Sequence, residues 1–246
     1  MKCVICQKNI VGPYYTDYWE NHVCAGHYET GEVQMCSSCG ALTLKSEQMQ
    51  LSDGRHLCNS CVQQVISRPD QVAKIKKLVL SRLIDEGVRF QDRHLDSVPI
   101  DIMSAREISE LRGHPLSIKN KGVTRTRRVT SFGGKLFGMK PKMLHHIYIL
   151  DYLIKIEFAG TLAHEIMHVW QNENQIKLAP PQSEGLCNLG AWLAFTTISS
   201  VKAPYFMKLL QENPDPVYGD GFRYVHSLFE KYGWEELLRM AKNRKL

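Results

Sequence analysis

The run His164-Glu165-Ile166-Met167-His168 sets two imidazoles four residues apart, with a carboxylate beside the first. On an α-helix this spacing is a little over one turn, so both rings leave the same face about 6 Å apart along the axis. Two rings so placed hold one zinc ion, and Glu165 reaches a metal-activated water without itself ligating. A catalytic zinc needs a third protein ligand and one open position. Glu184, beyond Pro180-Pro181, is the candidate. The double proline breaks the first helix, a second opens near Ser183, and the chain between them is long enough to reverse. Leu186, Leu189, Trp192, Leu193 and Phe195 mark the second helix as buried, and a carboxylate at its mouth needs a cation. Asn188, one turn further on, is placed to orient a ligand histidine. Tyr218, Arg223, Tyr224 and His226 are candidates to stabilise an oxyanion, with Tyr218 preferred because glycines flank its turn.

A second constellation lies at the N-terminal end. Seven of the eight cysteines fall between positions 3 and 61, in the order Cys3-x2-Cys6, Cys24-x2-His27, Cys36-x2-Cys39 and Cys58-x2-Cys61. Each pair grips an ion from a tight knuckle, and a second pair about 20 residues later completes a tetrahedron. Cys3, Cys6, Cys24 and His27 would hold one structural zinc; Cys36, Cys39, Cys58 and Cys61 would hold another. His22 competes with His27, but it lies only two positions from Cys24, and His27 is preferred. An odd cysteine count opposes a disulfide framework, and a block of this size gains from metal the folding energy that its thin core lacks. Cys187 stands apart and reads as a small core residue.

The elements that position the catalytic set follow from periodicity. Ser67-Arg68-Pro69-Asp70 reads as a capping box, and Val72, Ile75, Leu78, Val79 and Leu83 recur at helical spacing until Gly87. Val98, Ile100 and Ile102 alternate as a strand; Ser104-x2-Glu107 opens a short helix stopped near Gly113. Val123 to Val129 alternates again between glycines, and His145 to Leu150 is a third strand, in which His145 and His146 are structural. A long helix over about 153–172 carries the two histidines, packing through Leu162, Ile166 and Val169.

Of the 246 residues, 43 % are apolar and 23 % charged, which excludes a disordered chain. The longest uncharged run, 17 residues from Gly185 to Val201, is interrupted by Asn188, Thr196, Thr197, Ser199 and Ser200, so a buried helix is expected and not a membrane span. The N-terminus lacks the apolar stretch of a secretory signal, and a cytoplasmic location is expected. The net charge of +6 is concentrated: residues 67–145 carry 17 basic and 8 acidic groups. Lys119, Lys121, Arg125, Arg127 and Arg128 form a run without an acid. It reads as a solvated strand face, with binding of an acidic substrate or partner as the alternative. The run contains no aromatic residue, so a nucleic-acid-binding zinc protein is the weakest of the functional readings.

Residues 3 to 61, with the closing Leu51-Ser52-Asp53-Gly54-Arg55-His56-Leu57-Cys58-Asn59-Ser60-Cys61, resemble a LIM domain, although the second knuckle runs Cys24 then His27, where most LIM domains place His before Cys. LIM domains are generally protein-interaction modules, which implies a protein partner or a regulatory role. Ile147-Tyr148-Ile149-Leu150, Gly160-Thr161-Leu162-Ala163-His164-Glu165-Ile166-Met167-His168-Val169-Trp170, Ser183-Glu184-Gly185-Leu186-Cys187 and Pro216-Val217-Tyr218-Gly219-Asp220-Gly221-Phe222-Arg223 are together similar to the LIM-linked metallopeptidases of the plant organ-size-regulator ("DA-one") family. Plant members carry ubiquitin-interacting segments before the LIM domain; here Cys3 already opens the first knuckle, so a compact, bacterial-type relative is expected. The resemblance implies an α+β chain: a LIM-like two-zinc domain over 1–66, then a mainly helical, gluzincin-like zincin peptidase domain with a small sheet over 67–246. It also implies a zinc-dependent endopeptidase acting on protein or peptide substrates. Three zinc ions per chain are expected, one catalytic on His164, His168 and Glu184, and two structural. The alternative is a non-catalytic LIM-type scaffold with a vestigial zincin fold.

Overall fold

A computed structural model describes residues 1–90, 95–129 and 142–246. It falls into two compact units, one of residues 1–66 with 152–155, the other of residues 67–151 with 156–246.

The first unit is built from small antiparallel ribbons: β1 (Tyr14–Thr16) with β2 (His22–Cys24), β3 (Val33–Met35) with β4 (Leu42–Leu44), and β5 (Met49–Gln50) with β6 (His56–Leu57). Two short helices, α1 (Ala25–Glu29) and α2 (Asn59–Val62), start from Cys24 and Cys58 and carry the second ligands of those knuckles, His27 and Cys61. The core of the first half is only Cys3, Val23, Val33 and Leu42, edged by Ile5, Cys6, Ile10, Cys24 and Leu44. Polar contacts join the halves. Buried Asp17 accepts from the backbone amides of Trp19, Asn21 and Leu42, and the Trp19 indole donates to the Cys39 carbonyl at 2.8 Å. Residues 152–155 return to this unit through a bridge between Val65 and Ile154.

The second unit opens with α3 (Pro69–Asp85). Its cap lies one residue later than the expected Ser67–Asp70 pair: Arg68 is the N-cap, and Gln71 Oε1 receives the Arg68 amide at 3.1 Å. Asp70 instead pairs with the Arg68 guanidinium at 3.0 Å. After α3 come β7 (Ile100–Met103) and α4 (Ala105–Arg112). Here Ser104 and Glu107 form the expected reciprocal cap, and Gly113 closes the helix in the left-handed region.

Strands β8 (Gly122–Val129) and β9 (Lys142–Leu150) complete a three-stranded sheet in the order β7-β9-β8, with β7 parallel and β8 antiparallel to β9. Gly133 and Gly134, expected to bound β8, lie outside the described residues. Among the described residues β8 is therefore an edge strand, beside the histidine helix α5 (Lys155–Glu173). Burial of Ile156, Phe158, Leu162, Ile166, Val169 and Trp170 makes α5 a core helix.

Helix α6 spans Pro180–Thr197. The prolines form its first turn, where a missing N–H costs nothing, so the helix begins three residues earlier than expected. Helices α5 and α6 approach closely: a Cβ on Gly160 would sit 2.2 Å from the Phe195 ring, and one on Gly190 would sit 2.6 Å from Met167. Helices α7 (Ala203–Gln211) and α8 (Gly219–Lys242) finish the unit, α8 bending at Gly233. The start of α8 meets that of α6 at Gly185 and Gly221. Among the described residues, no helix is long and apolar enough to cross a membrane.

Candidate metal centres

The local turns of the first unit gather its cysteines into two clusters. Cys3, Cys6, Cys24 and His27 bring one donor atom each within 4.8 Å of one another, as do Cys36, Cys39, Cys58 and Cys61. Tetrahedral zinc–sulfur bonds of about 2.3 Å set the sulfurs roughly 3.8 Å apart; Cys39 Sγ and Cys58 Sγ lie at 3.8 Å. The knuckle backbone aims amides at sulfur: Ile5 N donates to Cys3 Sγ and Cys58 N to Cys36 Sγ, both at 3.4 Å. Burial opposes ionisation of Cys3, but the amides of Cys6, Cys24 and Ile5 outweigh it and hold the thiol at about 6. His27 turns Nδ1 to Glu32 Oε2 at 2.5 Å, which leaves Nε2 for the cluster. His22 is engaged with Thr16 at 2.8 Å and stands outside. Both clusters are zinc-type donor sets.

In the second unit, α5 presents His164 and His168, and the first turns of α6 carry Glu184, Cys187 and Asn188. The hydrogen bonds fix the tautomers. Asn188 Nδ2 donates to the Tyr218 carbonyl at 3.0 Å, so Asn188 Oδ1 faces His164 Nδ1, at 2.9 Å, and that nitrogen carries the proton. Gln171 Nε2 donates to the Ser183 carbonyl at 3.1 Å, so Gln171 Oε1 faces His168 Nδ1 at 3.3 Å. Both Nε2 lone pairs therefore point inward, and Glu184 Oε2 lies 3.1 Å from one and 3.5 Å from the other.

Three acceptors thus face one another. The Glu184 oxygen is buried and makes no hydrogen bond. Such a convergence is stable only around a cation, either a proton or a metal. Tetrahedral zinc with bonds of about 2.0–2.1 Å to nitrogen and oxygen sets its ligands roughly 3.3 Å apart, and the two distances bracket that spacing. The donor set fits zinc. The charges agree. Burial works against ionised Glu184, but the two imidazoles prevail and hold its carboxyl well below the usual range. Burial likewise opposes protonation of His168, yet Cys187, Glu184 and Glu165 push it up to about 12.

Glu165 is buried against β8. Thr124 Oγ1 donates to its Oε2 at 2.7 Å, and a Cβ on Gly122 would stand 2.5 Å from its Oε1. Neither Gly122 nor Thr124 is marked by sequence spacing; the glycine opening a β-prone run is the only local signal. Gln171 is likewise unmarked, and Ser183 is marked only as the opening of the second helix and in the family motif, not as a partner of Gln171. Cys187 is buried as expected, but its Sγ lies 3.4 Å from His168 Nδ1, on the ring edge turned away from Glu184.

The four oxyanion candidates separate. Tyr218 is the N-cap of α8, at the end of the turn before Gly219, and its carbonyl receives Asn188 Nδ2; burial, then the charge of Glu184, push its phenol up. Arg223 instead holds the carbonyls of Gln211 and Asn213 at 2.8 Å and pairs with Asp220. Tyr224 faces solvent, and His226 packs among Trp192, Phe222 and Phe229. His145 and His146 are taken up by the sheet, His145 Nδ1 on Thr126 at 2.9 Å and His146 on Asp101 at 2.7 Å.

No family model and no solved structure matches the chain. It is 25 % identical over 273 residues to Protein DA1 of Arabidopsis thaliana, covering 90 % of this chain and 50 % of that protein. Protein DA1-related 2 of the same plant is 24 % identical over 277 residues, at 90 % and 52 % coverage. LIM domain-containing protein HDR3 of Oryza sativa subsp. japonica is 23 % identical over 279 residues, at 90 % and 55 %. The chain spans about half the length of these relatives. Their similarity runs across both units, and the two donor clusters of the first unit fit the zinc knuckles of a LIM-like module.

Proposed function

We propose that the second unit is a zinc-dependent endopeptidase and that the first is a LIM-like two-zinc module that binds a protein partner or regulates the peptidase. The observation that carries this reading is the convergence of the His164 and His168 lone pairs on the buried Glu184 oxygen. Zinc held by these three residues would activate a water and polarise the scissile carbonyl.

The remaining chemistry belongs to the protein. Glu165 takes the proton of the attacking water and returns it to the leaving amine. Thr124 orients it by binding Oε2, which leaves Oε1 for the proton. Asn188 and Gln171 keep both imidazoles in the tautomer that directs Nε2 inward. Tyr218, whose carbonyl is bound by the same Asn188 that orients His164, is the candidate to donate its phenolic proton to the oxyanion.

The test is Glu165→Gln. The parent should contain three zinc ions per chain and cleave unfolded or peptide substrates. The variant should retain all three ions and lose cleavage. Cleavage by the variant at the parental rate, or a parent with only two ions, would sink the proposal.

A further inference from the structure

Strand β8 runs beside the proposed general base and carries three arginines, Arg125, Arg127 and Arg128. Its face towards α5 is identified by three contacts: Gly122 against Glu165, Thr124 on Glu165, and Thr126 receiving Asn172 Nδ2 at 3.0 Å. Strand alternation puts Arg128 on this same face and Arg125 and Arg127 on the opposite one. The basic residues are not equivalent. Lys121 pairs with buried Glu157 at 2.7 Å, and the Arg125 guanidinium donates to the Leu111 carbonyl. Arg127 and Arg128 are exposed and make no ion pair among the described residues. With β9 paired along one side and no other strand beside it among the described residues, the other edge of β8 offers main-chain donors and acceptors to an extended chain.

We infer that β8 is a selectivity strand: it takes an extended peptide with two adjacent acidic residues, read by Arg127 and Arg128. This deepens, and rests on, the peptidase reading. Consecutive residues of a paired peptide point to opposite sheet faces, as Arg127 and Arg128 do, so neighbouring acids meet one arginine each. At about 3.4 Å per residue, Arg127 and Arg128 lie three and four positions, or roughly 10–14 Å, from Thr124. The acidic pair therefore falls three to four residues from the peptide residue opposite Thr124, on one side of the scissile bond. Charge selects the peptide, while β8 main-chain pairing supplies its register.

The test uses the full zinc-loaded chain and quenched peptides of one sequence. An acidic pair is placed three to four residues before the cleavage point, three to four after it, or replaced by Gln-Gln or Lys-Lys. One of the two acidic peptides should be cleaved with a kcat/KM roughly five-fold above the Gln-Gln peptide at low salt, the advantage shrinking at high salt. In Arg127→Glu/Arg128→Glu the order should invert in favour of Lys-Lys, at unchanged zinc content and melting temperature. Binding of labelled peptides to Glu165→Gln, followed by fluorescence anisotropy, reads the same selection without cleavage. If the parent cleaves every peptide equally, or the doubly reversed protein keeps the parental order, the inference is overturned while the peptidase reading stands. If nothing is cleaved but anisotropy retains the charge order, the peptidase reading fails and the strand's selectivity survives it. Tighter binding of a single-stranded oligonucleotide than of the acidic peptide at physiological salt, lost with the same arginines, would also overturn the inference.

Discussion

Gly122→Ala is the sharpest perturbation of the proposed base, because it adds one methyl group and alters no ligand. The new Cβ would lie 2.5 Å from Glu165 Oε1, 2.8 Å from its Cγ and 2.9 Å from its Cδ. Non-bonded carbon contacts settle at about 3.5 Å, so the carboxylate must retreat by roughly 1 Å. Helix α5 gives little room to share the movement, since Gly160 is pressed against Phe195 and Met167 against Gly190. The side chain therefore rotates and gives up its 2.7 Å bond to Thr124. A misplacement of about 1 Å costs on the order of 100-fold in rate, or roughly 2.7 kcal/mol of transition-state stabilisation. Gly122 does not occupy the left-handed region, so alanine suits the strand, and its gain of about 0.5–1 kcal/mol over glycine partly offsets an overpacking cost of about 1–3 kcal/mol. The expected result is a kcat/KM about 100-fold below the parent on a quenched peptide. Three zinc ions by elemental analysis and a melting temperature within a few degrees should accompany it. Parental activity would refute the placement of Glu165 at the reacting water. Loss of the third zinc together with activity would refute the reasoning differently, by showing that β8 supports the histidines and not the base.

Other substitutions separate the remaining roles. Glu184→Gln should lower the zinc content from three ions to two, measured after dialysis, because a neutral amide leaves two lone pairs without their anionic companion. Asn188→Ala removes the acceptor that fixes the His164 tautomer and should weaken zinc at that centre by about 10–100-fold in a chelator competition. Tyr218→Phe should slow turnover by about 100-fold at unchanged zinc content; unchanged turnover would remove Tyr218 from the mechanism. Cys39→Ser should cost one zinc ion and open the first unit to limited proteolysis, since metal supplies the folding energy that a unit of this size lacks.

What could be read from the sequence was what the local chain geometry determines. A Cys-x2-Cys knuckle closes on itself, so its four pairs are visible without knowledge of the fold, and only the choice between His22 and His27 required spacing to be weighed. The pairing of His164 with His168 is likewise local, because one helical turn joins them. Glu184 is intermediate: its type and its place after two prolines are visible, but the prolines open α6 and do not merely precede it. That difference puts Glu184 in the second turn of α6, where helix geometry already fixes its direction relative to Cys187 and Asn188.

Gly122, Thr124, Gln171 and the proximity of Cys187 to His168 were not legible. Thr124 and Glu165 are 41 residues apart, and their contact exists only because β8 packs on α5. Of the two tautomers, the contact of Asn188 with a ligand histidine follows from its place one turn after Glu184, but what commits Asn188, and the whole of the Gln171 link, do not. His164 is set by Asn188 because Asn188 is itself committed to the Tyr218 carbonyl, and His168 is set by Gln171 because Gln171 is committed to the Ser183 carbonyl. Each link is an ordinary hydrogen bond, yet together they turn two basic nitrogens onto a buried carboxylate. The centre is therefore specified less by its ligands than by the two amides behind them. A chain that kept His164, His168 and Glu184 while losing Asn188 and Gln171 would let the imidazoles flip, donate to Glu184 and satisfy it without any metal.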